Sequence, residues 1–211
     1  MSIADLRRDY RLRALTELDA HADPIEQFRQ WLDQAVRAEL VDATAMTLAT
    51  ALPDGTPDAR IVLLKEVGPG GFVFFTNYES SKAGQLAANP RACLVFFWAE
   101  LERQVRVSGV AVRVPEPVSD SYFASRPLDS QLGAWASPQS RVIHGRDTLE
   151  RQMADVSERF AQGPVPRPPR WGGYAVTPEE IEFWQGRPNR LHDRLRYRRA
   201  GPAWTRDRLA P

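Results

Sequence analysis

A chain of 211 residues, 43% hydrophobic, is long enough for one domain with a real core. Its 28 basic and 27 acidic residues leave a net charge of +1, which argues against a general nucleic-acid binder with its basic excess. No apolar run approaches the length a bilayer needs, the charged N-terminus lacks the apolar segment of a signal peptide, and the single Cys93 has no partner for an intramolecular disulfide, so a cytoplasmic protein is the expectation.

Residues 1–22 are polar and basic and read as a flexible N-terminal arm that orders on contact, ahead of a single domain over 23–211. Asp23-Pro24-Ile25-Glu26 is a helix start: an acid at the cap, proline at the first position, glutamate at the third. Ile25, Phe28, Trp31, Leu32, Ala35 and Val36 then recur at helical spacing to about Leu40. From Thr44 the period changes. Thr44–Leu52 and Ala59–Glu66 read as a hairpin across a Pro-Asp-Gly-Thr-Pro-Asp turn, and the apolar run of the second strand predicts burial on both faces. Phe72–Asn77 is a third strand. A short helix capped by Ser80 or Ser81 runs to Leu86 and stops at Asn89-Pro90. Lys82 falls in its first turn, unfavourable for the macrodipole unless an anion lies nearby.

Arg91–Ala99 is a strongly apolar fourth strand, and Gln104–Val114 a long fifth. There the valine register slips from odd (Val105, Val107) to even (Val110, Val112, Val114) across Ser108-Gly109, which predicts a β-bulge. Pro117–Ser125 is a helix, broken or restarted by Pro127; Arg146–Gln162 is another, with Leu149, Met153, Val156 and Phe160 on one face. Gly163–Pro169 is a proline-rich loop, Gly172–Val176 opens a strand, and Tyr197–Leu209 is a hairpin around Ala200-Gly201-Pro202. Six to eight strands with helices inserted between them, without alternating βαβ units, point to a mainly β protein: an antiparallel barrel with peripheral helices.

The segment W-Q-G-R-P-N-R-L-H-D-R (184–194) concentrates cationic donors around an imidazole. As extended backbone it would turn Arg190, His192 and Arg194 to one face and Leu191 and Asp193 to the other. A GxGxxG fingerprint, a GxxxxGK[ST] loop, a GxSxG elbow and a metal-spaced Cys/His cluster are all missing from the sequence. What remains is a scatter of anion-binding residue types. Arg60 and Lys65 lie on a strand, Ser80 and Lys82 at a helix start, and Gln104 on the long strand. Tyr122, Arg126 and Ser130 form a Y-x3-R-x3-S series, Gln139 and Ser140 lie in a loop, and Arg190, His192 and Arg194 come last. Singly each reads as a surface feature; converging, they suit phosphate monoesters, with groups enough for two. Lys65 and Lys82 are the only lysines among the 28 basic residues. Coding bias accounts for most of that, with a hint that a compact point charge is wanted at both places.

The stretches L-R-R-D-Y (6–10), R-I-V-L-L-K (60–65), F-F-T-N (74–77), S-S-K (80–82), L-E-R-Q-V (101–105), Y-F-A-S-R-P-L-D-S-Q-L-G-A-W (122–135), Q-S (139–140), I-E-F-W-Q-G (181–186), R-L-H-D-R (190–194) and the terminal D-R-L-A-P run in family order over nearly the whole chain. In them the chain resembles the pyridoxine/pyridoxamine 5′-phosphate oxidases. The resemblance implies an FMN-binding split β-barrel, antiparallel and Greek-key-like, assembled as a homodimer with FMN between subunits. It implies oxidation of pyridoxamine or pyridoxine 5′-phosphate to pyridoxal 5′-phosphate by FMN and O2, with H2O2 formed and NH3 released from the amine. For FMN it implicates Arg60, Ile61, Val62, Leu63, Leu64, Lys65, Phe75, Thr76, Lys82, Gln104, Gln139, Ser140, Trp184 and Arg194. For the substrate it implicates Lys65, Tyr122, Arg126, Ser130, Arg190 and His192, the last two catalytic, with Arg7 and Tyr10 in an arm that closes over the site. His192 is either the proton acceptor or a group that orients the ring. Two departures stand out: Ser81 replaces the arginine of the family's S-R-K, which predicts weaker FMN retention, and Phe75 replaces a common tyrosine. Other flavin or deazaflavin enzymes of the same barrel, and a non-catalytic flavin or pyridoxal-phosphate carrier, are the competing readings.

Overall fold

The computed structural model of the chain describes residues 2–3 and 9–211. Helix α1 (Pro24–Arg37) begins where its residue types require: the Asp23 carboxylate accepts from the Ile25 N–H at 2.8 Å, with Pro24 in the first turn. Its apolar stripe enters the barrel. The Phe28 ring lies 4.8 Å from both Phe72 and Phe96, and Trp31 meets Phe183 edge-on at 5.3 Å.

The strands are β1 (Ala45–Ala51), β2 (Pro57–Leu63), β3 (Glu66–Gly68), β4 (Gly71–Asn77), β5 (Arg91–Trp98), β6 (Arg103–Arg113), β7 (Trp171–Gln185), β8 (Asp193–Ala200) and β9 (Ala203–Arg208). Every pairing is antiparallel, in the order β2-β1-β5-β6-β7-β4-β3, with β8 added to β7 and β9 to β8. Strand β7 divides its length: residues 171–176 pair with β4, residues 180–185 with β8. The barrel splits there. The predicted bulge falls where the valine register slips, between Ser108 and Gly109. A side chain at Gly109 would come within 2.0 Å of the Thr177 carbonyl oxygen, so only glycine lets β6 approach β7 at the bend.

Helix α2 (Ser81–Ala88) crosses from β4 to β5, and α3 (Glu116–Ala124), α4 (Leu128–Ala136) and α5 (Arg146–Arg159) fill the connection from β6 to β7. They join the barrel through a second cluster of Phe123, Leu132, Val165 and Trp171, against which Met153, Val156 and Phe160 pack.

Two expectations are corrected. Strand β2 is half-buried on one face and open on the other: Ile61 is 65% and Leu63 42% exposed, on a sheet face that a single chain leaves uncovered. The alternation from Arg190 to Arg194 also fails. Pro188–Arg190 is a 3-10 turn with Asn189 and Arg190 at φ of 58° and 61°, and extended pairing resumes at Asp193.

The described part of the N-terminal arm lies against β8, β9 and the β5–β6 turn. Leu12 N–H donates to Glu102 Oε2 at 3.0 Å and Leu15 N–H to Asp193 Oδ2 at 3.0 Å. The Arg187 guanidinium donates to the Arg13 carbonyl at 3.3 Å. Arg208 donates to both Glu17 oxygens (2.7 and 2.8 Å), to Asp193 Oδ1 (2.8 Å) and to the Leu15 carbonyl (3.0 Å). Leu15 itself is 3% exposed in the main core. Arg7 lies outside the described residues.

Candidate functional site

A cavity of about 690 Å³ opens between the outer face of β2, the end of β4 and the corner joining α3 to α4. Ile61, Val62 and Leu63 form one wall and Lys65 its rim; β4 supplies Phe75 and Thr76, α2 supplies Lys82. Tyr122 comes from the end of α3, Arg126 from the corner that follows it, Ser130 from the first turn of α4, and Gln139 from the loop beyond. The Y-x3-R-x3-S series therefore does converge, although Pro127 separates its residues onto two helices. The corner is held by Gln131 Nε2, which donates to the Arg126 carbonyl at 2.8 Å.

Among the described residues neither Lys82 nor Arg126 of this cavity makes an ion pair, although the charge of Asp58 acts on Lys82 from a distance. Lys82 Nζ donates to Thr76 Oγ1 (3.2 Å), Ser80 Oγ (3.3 Å) and Gln139 Oε1 (3.0 Å), three neutral acceptors. Burial, and then the nearby charge of Arg60, pull the pKa of Lys82 below its ordinary value. It stands at the N-terminus of α2, whose first turn holds no acid; the Ser80 hydroxyl donates to the Asn77 carbonyl instead of capping. The second cation, Arg126, has its guanidinium 4.8 Å above the Trp171 ring, and its NH1 is buried without a hydrogen-bond partner. Burial lowers its pKa as well. An unpaired guanidinium nitrogen and an ammonium among neutral acceptors both gain if an anion enters.

Arg60 stands behind the cavity, not in its lining. Its guanidinium donates to the Leu48 carbonyl, Thr50 Oγ1 and Gln85 Oε1 at 3.1, 2.6 and 2.9 Å and pairs with Asp58. Leu64 also turns inward, 4% exposed, with its N–H on the Thr44 carbonyl at 2.9 Å. Ser140, exposed and at φ of 70°, follows Gln139 outside the lining. Ser81 is exposed at the first position of α2.

The floor contains a residue that sequence reasoning missed. Trp171 lies parallel to Phe75 (5.4 Å, 10°), which lies parallel to Tyr122 (4.1 Å, 18°). A side chain at Gly173 would meet the Phe75 ring at 2.8 Å, so that glycine makes room for Phe75. The available signal was a tryptophan directly before the glycine pair that opens the predicted strand.

The remaining predicted residues gather elsewhere. Gln104, Trp184 and Arg194 are directly paired across β6, β7 and β8. His192 lies 4.6 Å from Trp184 with the rings tilted by 44°, and the Tyr10 ring meets Trp184 and His192 edge-on at 5.6 and 5.7 Å. His192 Nδ1 accepts from the Arg187 N–H at 3.1 Å; burial first, then the charge of Arg190, lower its pKa. Arg194 is engaged bidentately by Glu182, 4% exposed, at 2.8 and 3.1 Å. Arg190 is exposed. None of these six residues borders the cavity.

An antiparallel split barrel with a cationic cavity on its wall defines the class of protein. The family model described as "Pyridoxamine 5'-phosphate oxidase" matches residues 32–160, and that of the "Pyridoxine 5'-phosphate oxidase C-terminal dimerisation region" matches residues 171–211. The chain is 61% identical to the pyridoxine/pyridoxamine 5′-phosphate oxidase of Thermosynechococcus vestitus over 209 residues, covering 99% of each chain. It is 58% identical to that of Rubrobacter xylanophilus, covering 99% of this chain and 96% of the relative. Among solved structures it is similar to PhzG from Burkholderia lata 383, determined in complex with tetrahydrophenazine-1-carboxylic acid, with a TM-score of 0.87 and 32% identity over 94% of this chain and 98% of that one. A pyridoxamine 5′-phosphate oxidase-related, FMN-binding protein from Nostoc punctiforme shares the fold, with a TM-score of 0.71 at 19% identity over 87% and 97% of the two chains. The chain belongs to the pyridoxine/pyridoxamine 5′-phosphate oxidase family.

Proposed function

We propose that this chain oxidises pyridoxamine 5′-phosphate and pyridoxine 5′-phosphate at C4′ to pyridoxal 5′-phosphate, with FMN as cofactor, O2 as final acceptor, H2O2 as co-product and NH3 released from the amine. In the structure the reading rests above all on the buried, unpartnered NH1 of Arg126 in the cavity. Burying a charged donor without a partner costs free energy, and an anionic ligand removes that cost. With Tyr122 and Ser130 one helical turn away on either side in sequence and Lys65 at the rim, Arg126 suits a phosphate monoester dianion.

The residues present also fit FMN. Lys82, the free N–H groups at the start of α2 and the charge of Arg60 behind them suit a second phosphate, with Thr76, Gln139 and Ser140 alongside and the backbone of 61–65 as a wall. FMN, when bound, supplies the two-electron acceptor that amino-acid side chains lack.

The second cluster belongs to the same site by way of a second copy. Ile61, Leu63 and Phe97 (56% exposed) leave an apolar sheet face open, and the chain carries the family's dimerisation region. In the homodimer we infer, this face is covered, and Gln104, Trp184, Arg190, His192 and Arg194 of one protomer complete the cavity of the other. The left-handed Arg190 backbone, strained by about 1–3 kcal/mol, presents its guanidinium outward toward that partner. His192 is neutral near pH 7, and because Nδ1 accepts from Arg187, the ring carries its proton on Nε2. It therefore offers a donor that orients the substrate, in place of a base. Arg194, committed to Glu182, fixes the Trp184 edge.

The test is direct. Purified protein reconstituted with FMN should convert pyridoxamine 5′-phosphate to the aldehyde with equimolar peroxide. A yellow protein that forms neither product is a carrier, and the proposal fails.

A further inference from the structure

We propose that Gly186 is a positioning residue: its missing side chain is the seat that holds Tyr10, and with it the N-terminal arm, over the Trp184–His192 face. The inference rests on the reading above only for its kinetic consequence.

A β-carbon built on Gly186 would lie 2.6 Å from Tyr10 Cγ, 2.7 Å from Tyr10 Cβ and 2.9 Å from Tyr10 Cδ1. All three nearest atoms belong to one residue of the arm. Two of them are the root of the side chain, so no rotation of the ring relieves the conflict; the arm backbone itself must withdraw. Gly186 is not at positive φ, so alanine there meets no backbone strain of its own. Its N–H is already fixed, donating to the Glu102 carbonyl at 2.7 Å. The first obstacle a methyl group at 186 meets is therefore Tyr10.

The surroundings agree. Glu102, whose carbonyl holds Gly186, also accepts from the Leu12 N–H through its carboxylate. Asp193, next to His192, receives the Leu15 N–H, and Arg208 ties Asp193 to Glu17 and to the Leu15 carbonyl. The arm is thus latched on the C-terminal side of Tyr10, and Tyr10 itself fits against the Gly186 seat and the two rings. A residue that touches neither reacting group would in this way set the geometry of one that faces them.

Three variants decide it: Gly186→Ala, Tyr10→Gly and the pair together. Trypsin cleavage after Arg11 and Arg13, followed by mass spectrometry on the FMN-loaded protein, reads the arm without reference to activity. Gly186→Ala should speed these cuts about tenfold or more, and Tyr10→Gly should do so similarly. KM for pyridoxamine 5′-phosphate should rise with FMN retention unchanged. The double variant should be no worse than Tyr10→Gly alone, because all three atoms the methyl group would meet are then gone. Unchanged cleavage in Gly186→Ala, or an effect of the same size whether or not Tyr10 is present, overturns the proposal. A double variant that matches Tyr10→Gly also excludes a general folding defect. If the wild-type protein oxidises no B6 phosphate, the function proposed above fails while the cleavage comparison still decides this one.

Discussion

Replacing Arg126 by methionine should move function and stability in opposite directions. In the ligand-free protein NH1 is buried without a partner, a burden of about 1–3 kcal/mol for a polar group. Methionine keeps the stem volume and removes that burden. Against it stands the loss of the guanidinium over Trp171 at 4.8 Å, worth about 0.5–1 kcal/mol for a partly exposed pair. The balance is neutral to stabilising, so ligand-free Arg126→Met should melt at or above the wild-type temperature. With the substrate phosphate in place the sign reverses: a charge-assisted hydrogen bond of about 1.5–3 kcal/mol is lost. At about 1.4 kcal/mol per decade that raises KM for pyridoxamine 5′-phosphate roughly 10- to 150-fold, with a smaller change in kcat. Thermal unfolding of the ligand-free protein and initial rates of aldehyde formation measure the two halves. An unaltered KM, or a variant that melts well below wild type, would refute the assignment of the unpaired nitrogen to the phosphate.

Ser81→Arg restores a cation at the exposed first position of α2, beside Lys82, and should slow FMN release on dialysis several-fold; equal release would mean that position 81 does not face the cofactor phosphate. His192 should titrate below the ordinary imidazole value near 6.5, and Arg190→Gln should raise its midpoint by removing a nearby positive charge, both read from its ring resonances by NMR. Since its folded pKa is the depressed one, its contribution to stability is present above the unfolded pKa and is lost as pH falls through the folded value, so a midpoint at or above 6.5 contradicts the neutral donor role. Co-expressed Arg126→Met and Arg190→Ala chains should recover about a quarter of wild-type turnover, because each mixed dimer regains one intact site if the two arginines act across the interface; no recovery would place both in one chain.

The barrel was largely legible because its signals are local. Asp23-Pro24 sets a helix start, and the valine slip at Ser108-Gly109 marks the bulge that glycine alone allows against Thr177. Period-two patterns say which face a residue takes, but not what lies opposite. The double service of β7 to β4 and β8, and the open face at Ile61 and Leu63, depend on pairing order across long sequence separations. For the same reason the three basic residues from Arg190 to Arg194 could not be sorted by alternation: two consecutive left-handed residues interrupt the strand, and no residue type announces Arg190 as one of them. Within the cavity, the Y-x3-R-x3-S spacing located Tyr122, Arg126 and Ser130, whereas Trp171 reaches them only through the fold.

The division of the predicted residues between two places on one chain has a physical logic. The cavity collects cations that the ligand-free protein leaves under-satisfied: Arg126 with a bare NH1, and Lys82 on neutral oxygens with Arg60 close by. In the other cluster Glu182 and Asp207 pair with Arg194 and Arg196, Arg190 stays exposed with its charge acting on His192, and the working surface is the Tyr10–Trp184–His192 aromatic group. Had the cluster around Arg190 stood on the same chain beside Lys82 and Arg126, folding itself would have to bear the repulsion of all these cations without a ligand. Placed on a partner, the same groups meet when two copies join, and bound phosphates then offset the charge. FMN and the dimer should accordingly stabilise each other, each binding more tightly in the presence of the other, as reciprocal linkage requires.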